Sequence, residues 1–161
     1  MPINRAVLNA SPLICLQKSG LSGLLPKLFS DIIVTSIVKA EVLAKGTVDV
    51  PMEALFANDW FRIADVAIDP DIAAWGLGRG EESVLSYALH DRSCWAVIDD
   101  RVARRCAESM KCLFTGTVGI IVLAKRRLII PNVREALGKL QDAGLWLSAP
   151  FIGAVCEKAG E

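Results

Sequence analysis

Apolar positions along this chain come in two rhythms, short unbroken runs and stripes at helical spacing, and the two alternate. Residues 6–8 are a first buried-strand run, after which Ser11 and Pro12 have the chemistry of a helix N-cap and first-turn proline, with a stop near Gly20. Residues 32–34 repeat the strand signal, and Thr35-Ser36 open a helix that runs to Ala44, with Gly46 as its stop. A short helix is expected over 51–57, an extended edge segment over 60–66, and a loop through Asp69-Pro70 and 76–80. The stripe Val84, Leu85, Ala88, Leu89 predicts a helix over 81–90. Residues 94–98 are a continuous apolar run of the kind a sheet covered on both faces requires. A helix over 101–110, a last strand at 112–114, a tight Thr115-Gly116-Thr117 loop and a helix over 118–127 follow.

Strand and helix alternation of this sort predicts an α/β fold with three α/β/α layers, a central parallel sheet and right-handed crossovers. Val133, Leu137 and Leu140 mark the first of two helices in the tail, so residues 131–161 read as a helical C-terminal extension of a single domain spanning 1–161.

Charged and amide residues sit at the ends of these elements. The runs at 6–8 and 94–98 terminate in Asn9 and in Asp99-Asp100, and carboxyl ends of parallel strands face the ligand crevice of an open α/β sheet. Glu41 follows Ile37 by four and Val38 by three, and Glu81 precedes Val84 by three and Leu85 by four, so both carboxylates share apolar stripes. Glu82 is rotated away toward Ser86. Carboxylates converging without histidine or cysteine are the chemistry of a hard cation, Mg²⁺ or Mn²⁺. The competing structural reading pairs Glu41 and Glu81 with Arg79, Arg101 or Arg104, and makes Asp99 or Asp100 a helix cap.

Composition narrows the picture further. Of 161 residues, 53% are hydrophobic and 18 basic residues balance 18 acidic ones, so bulk charge does not point to nucleic acid and only local clusters can. Arg101, Arg104 and Arg105 share one helix face, a candidate phosphate-tracking strip. Trp60, Trp75, Trp95 and Trp146 do not interleave with it in sequence; Trp95 reads as core, and Trp75, in its glycine-bounded loop, is a candidate base-stacking residue. The five cysteines lack a Cys-x-x-Cys pair and read as reduced core residues. No leader pattern or bilayer-length apolar stretch occurs, which leads us to expect a cytoplasmic protein without a membrane partner. His90 alone cannot build a zinc site.

The segments Asn9-Ala10-Ser11-Pro12-Leu13-Ile14, the Glu41 helix, Leu77-Gly78-Arg79-Gly80-Glu81, Val97-Ile98-Asp99-Asp100-Arg101 and Thr115-Gly116-Thr117-Val118-Gly119 with Ala124-Lys125 resemble, in order, a prokaryotic branch of the PIN-domain nucleases. The resemblance spans nearly the whole chain. It implies a divalent-metal-dependent ribonuclease, with Glu41, Glu81 and Asp99 at the family's acidic positions and Asp100 beside them as catalytic and metal-binding residues. Asn9 would be a further ligand where the wider superfamily has Asp. Ser11, Thr115 and Thr117 would order water or ligand, and Arg79, Arg101, Arg104 and Arg105 would meet RNA. It further implies a small antitoxin partner, as in toxin-antitoxin pairs, and a homodimer. The same residues with a silent site would make an RNA-binding or protein-interaction module.

Overall fold

The first apolar run forms β1, Arg5–Leu8, whose Ala6, Val7 and Leu8 are fully buried. The protein, a computed structural model, is described over residues 3–45 and 51–161, so the expected stop at Gly46 lies outside the described residues. Helix α1, Ala10–Lys18, follows at once. Its N-cap is Asn9, not Ser11, with extended backbone (φ −77°, ψ 166°). Pro12 is therefore the third helical residue, still within the first turn, where a missing N–H leaves no hydrogen bond unmade.

A 3-10 turn at Ser22–Leu24 and the single-turn helix α2, Leu25–Leu28, return the chain to β2, Asp31–Thr35, buried from Ile32 onward. Helix α3, Ser36–Ala44, starts as expected because the Thr35 hydroxyl accepts from the Val38 N–H at 3.1 Å. One turn of helix, α4 (Glu53–Phe56), leads to the edge strand β3, Phe61–Ala64.

The expected loop at Asp69-Pro70 is instead the start of a short helix, α5 (Pro70–Ala73). The Asp69 carboxylate accepts from the Asp71 N–H at 2.9 Å, and Pro70 occupies the first helical position. Helix α6, Arg79–His90, begins two residues earlier than its stripe suggested. Next come β4, Trp95–Val97, and α7, Arg101–Ser109. The last strand, β5, is Phe114–Thr115, shifted from 112–114. Lys111 turns the chain in the left-handed region (φ 56°), and the Cys112 N–H bonds back to the Ala107 carbonyl at 2.8 Å, so Cys112 closes α7 and cannot join the sheet. Helices α8 (Thr117–Arg126), α9 (Val133–Asp142) and α10 (Ala149–Lys158) complete the chain.

All described strands run parallel in the order β3-β2-β1-β4-β5, with helices on both faces, giving the expected three-layer α/β/α architecture. The chain steps outward from β1 through β2 to β3, then returns to β1's other side as β4 and steps out to β5. The reversal makes the β1–β4 boundary the switch point, where a crevice opens beyond the strand ends. Leu8 is in register with Val97, and the Asn9 N–H bonds the Val97 carbonyl at 3.0 Å. At the opposite end of the sheet Arg5 bridges Asp31 (3.0 Å) and Asp91 (2.5 Å), and Arg62 also pairs with Asp31 (2.8 Å). No helix among the described residues is long and apolar enough to cross a membrane.

Candidate functional site

Three of the residues singled out in sequence meet at the crevice. Asn9 from the end of β1, Glu41 from α3 and Glu81 from α6 line one cavity of about 140 Å³, together with Ser11, Lys45, Gly78 and Gly80. Asn9 is 5% exposed, and although it occupies the N-cap position its side chain makes no capping bond. Both glutamates are anchored on the first turn of α6. One Glu41 oxygen accepts from the Gly80 N–H at 3.1 Å, and one Glu81 oxygen accepts from the Gly78 N–H at 3.0 Å. Each carboxylate keeps a second oxygen. Gly80 leaves room for this seat, because a β-carbon there would overlap the Glu41 carboxylate and push it aside.

A buried hydroxyl chain fixes α3 against α6. The Thr35 hydroxyl donates to Ser83 Oγ at 2.7 Å, since Ser83 spends its own proton on the Gly80 carbonyl, also at 2.7 Å. Thr35 thus caps the helix bearing Glu41, while Ser83 holds the residue whose N–H binds it.

Asp99, just beyond β4, is gripped by the first residue of α8. Thr117 donates its N–H at 2.8 Å to one carboxylate oxygen and its hydroxyl at 2.5 Å to the other. Thr117 is fully buried and so acts through Asp99. Gly116 plays the part of Gly80: a β-carbon there would lie 2.7 Å from Asp99 Oδ1. Two carboxylates are thus seated on the N-termini of other helices, where backbone N–H groups and the helix dipole favour negative charge. Asp100 is spent differently, as the N-cap of α7, its carboxylate accepting from the Ala103 N–H at 2.9 Å. Thr115 is half-buried, its hydroxyl lying where a β-carbon on Gly119 would fall.

The arrangement differs from the expected four-carboxylate cluster. Glu41 and Glu81 share a cavity, but Asp99 lines a neighbouring groove, and no three His, Cys, Asp or Glu side chains among the described residues form a metal-holding group. The pairing of Glu41 or Glu81 with Arg79, Arg101 or Arg104 is also not seen; ion pairs among the described residues involve other groups. Glu82, expected to be rotated away, is 8% exposed.

Arg101, Arg104 and Arg105 are exposed on α7, and Arg79 at the start of α6 is exposed as well. Arg101 and Arg104 join Asp99 in a groove of about 400 Å³ whose other wall is Trp146, Leu147, Ser148 and Phe151. Sequence spacing did not connect Trp146 with these arginines. Trp75, a candidate base-stacking residue by sequence, does not line that groove, and Trp95 is half-buried in β4. All five cysteines are free thiols, and burial, with the Asp99 charge adding to it, pushes the Cys15 thiol up to about 11. His90 pairs with Asp69 at 3.3 Å, an ordinary surface contact.

The metal-ligating side chains of the Asn9 cavity are one amide, two carboxylates and the Ser11 hydroxyl, which bind through oxygen, with the Lys45 ammonium on the same lining. Mg²⁺ is commonly held by one or two carboxylates with water completing its shell, so these residues fit a hard divalent cation and offer nothing to a thiophilic one. No curated protein matches this chain. A family model described as PIN domain, of unknown function, matches residues 5–161. PIN domains are a nuclease-type fold and typically use divalent metals. The match covers nearly every position, including each residue of the crevice, and the chain therefore belongs to the PIN-domain family.

Proposed function

We propose that the protein is a divalent-metal-dependent ribonuclease that hydrolyses RNA phosphodiester bonds. The observation that carries this reading is the cavity at the switch point, where Asn9, Glu41 and Glu81 from three separate elements present oxygen atoms and, among the described residues, no arginine pairs with either glutamate. Each glutamate spends one oxygen on a backbone N–H and forms no ion pair among the described residues, although Lys45 lines the same cavity. A second half-buried oxygen on each is thus left to meet a cation. Glu41, Glu81 and Asn9 would hold Mg²⁺ or Mn²⁺, with Asp99 on the adjoining strand end. Such an ion, when bound, contributes charge opposite to that developing on the phosphodiester. The chain's own contribution is positional: Gly80 and Thr117 fix the carboxylates, Asp100 starts α7, and α7 presents Arg101, Arg104 and Arg105 to the phosphates. Many PIN proteins are toxins restrained by a small antitoxin and often form homodimers, and we extend both partners to this protein as part of the proposal.

Titration calorimetry with Mn²⁺, paired with cleavage of a single-stranded RNA, tests the reading. Binding should depend on Glu81, and cleavage should require metal and fall about 100-fold or more in Asp99→Ala, since even outer-shell ligands are worth 10–100-fold. Cleavage that survives both chelation and that substitution refutes it. A second reading, a PIN fold that binds RNA without cutting it, is favoured by the amide at Asn9 and by the absence of a three-carboxylate group among the described residues. It predicts no Mn²⁺ isotherm at millimolar metal.

A further inference from the structure

The groove beside Asp99 sets an aromatic wall, which the catalytic reading does not use, against the arginines already assigned to the phosphates. Trp146 is 84% exposed and Phe151 45% exposed, both on one wall, while Arg101 and Arg104 stand on the other. Apolar surface of this size left in water needs a reason, and here it is rimmed by cationic side chains. Arg104 already lies over the Phe114 ring, its guanidinium 5.5 Å from the centroid, a cation–π contact that orders the side chain on the groove wall beside Asp99. Neither arginine forms an ion pair among the described residues. Two guanidiniums against the single Asp99 carboxylate leave the groove cationic. Its volume of about 400 Å³ lies within the range of sites that take a nucleotide-sized group.

We propose that this groove is a subsite for single-stranded RNA, in which one base stacks on the Trp146 indole and the adjoining phosphates lie on Arg101 and Arg104, delivering the strand toward Asp99. The proposal rests on the ribonuclease reading for its substrate. Single-stranded nucleic acid is the occupant that uses both walls: an aromatic face accepts any unstacked base, and arginine forks accept phosphate oxygens. A duplex keeps its bases stacked and offers the indole nothing. Phe151 extends the wall that carries Trp146, and the Ser148 hydroxyl caps α10 by accepting from the Phe151 N–H at 3.2 Å.

The test is the affinity of the full chain for a fluorescein-labelled single-stranded RNA twelve-mer, measured by anisotropy in EDTA so that no cleavage intervenes. Trp146→Ala should weaken binding about tenfold, and Trp146→Phe by less, because a smaller ring still stacks. The slope of log Kd against log salt should stay unchanged in Trp146→Ala. In Arg101→Ala/Arg104→Ala it should fall by about 0.7 for each phosphate that is no longer neutralised. Circular dichroism checks that each variant is folded. RNA binding that is the same in wild type and Trp146→Ala overturns the subsite, as does a wild type that binds no single-stranded RNA. The two readings fail separately. If RNA binds through Trp146 but is never cut with Mn²⁺, the nuclease reading falls and the subsite stands. If Mn²⁺-dependent cleavage occurs with the same KM in Trp146→Ala, the subsite falls and the nuclease stands.

Discussion

At the scale of single residues, two glycines decide where the carboxylates sit. Gly116 has an extended backbone (φ −118°, ψ −177°) that any residue adopts, so its importance lies in the space it leaves for Asp99. Gly116→Ala should therefore displace Asp99, destabilise the protein by about 1–3 kcal/mol as small-to-large changes in packed sites do, and weaken Mn²⁺ binding. Denaturant unfolding and calorimetry on the same sample check it. A normal Mn²⁺ isotherm in a destabilised variant would remove Asp99 from the metal site. Asn9, Glu41 and Glu81 were legible in the sequence because strand ends and helical stripes fix where such side chains point. The burial of Glu82 was not, since the buried face of α6 is wider than its apolar stripe and includes Ser83 and Ser86, polar residues whose partners lie on other elements.

At the scale of elements, the inner strands β1, β2 and β4 were legible because parallel strands covered on both faces are apolar over their buried length, whereas the edge strand β5 was misplaced and helix starts were shifted by caps that spacing does not reveal. Asn9 displaced Ser11 as N-cap, and Asp69 turned an expected loop into α5. The end of the sheet remote from the crevice rests on a charged cluster that joins β1, β2 and β3. Hydrogen bonding from Arg62, reinforced by Arg5, holds the Asp31 carboxyl below its ordinary range. A depressed folded-state pKa means that the stabilisation is complete above the unfolded value, near pH 4, and is lost as pH falls through the folded one. Asp31→Asn should accordingly be less stable than wild type at pH 7 and approach it in acid. Thermal melts from pH 7 to pH 2.5 measure the convergence; a constant gap across that range would show that the carboxylate's charge is not what Asp31 contributes.

At the scale of the whole molecule, the groove beside Asp99 exists only because the helical extension docks against the α/β layers. Trp146 and Arg101 are far apart in sequence, and nothing in local periodicity brings them together. Glu161 is a fastening point for that docking. Its carboxylate accepts from the Val133 N–H at 2.6 Å and the Arg134 N–H at 3.2 Å at the start of α9, and pairs with Lys125 of α8 at 3.1 Å. One side chain thereby ties the end of α10 to two other helices. Glu161→Ala should loosen α10 while leaving the sheet and the Asn9 cavity intact, because the cavity draws its residues from β1, α3 and α6. The expected signature is faster proteolysis within 143–161 and weaker binding of single-stranded RNA, approaching that of Trp146→Ala, with Mn²⁺ affinity unchanged. If metal binding falls in step with RNA binding, the extension and the crevice form one cooperative unit, and the separation of a cutting site from a strand-holding groove does not apply to this protein.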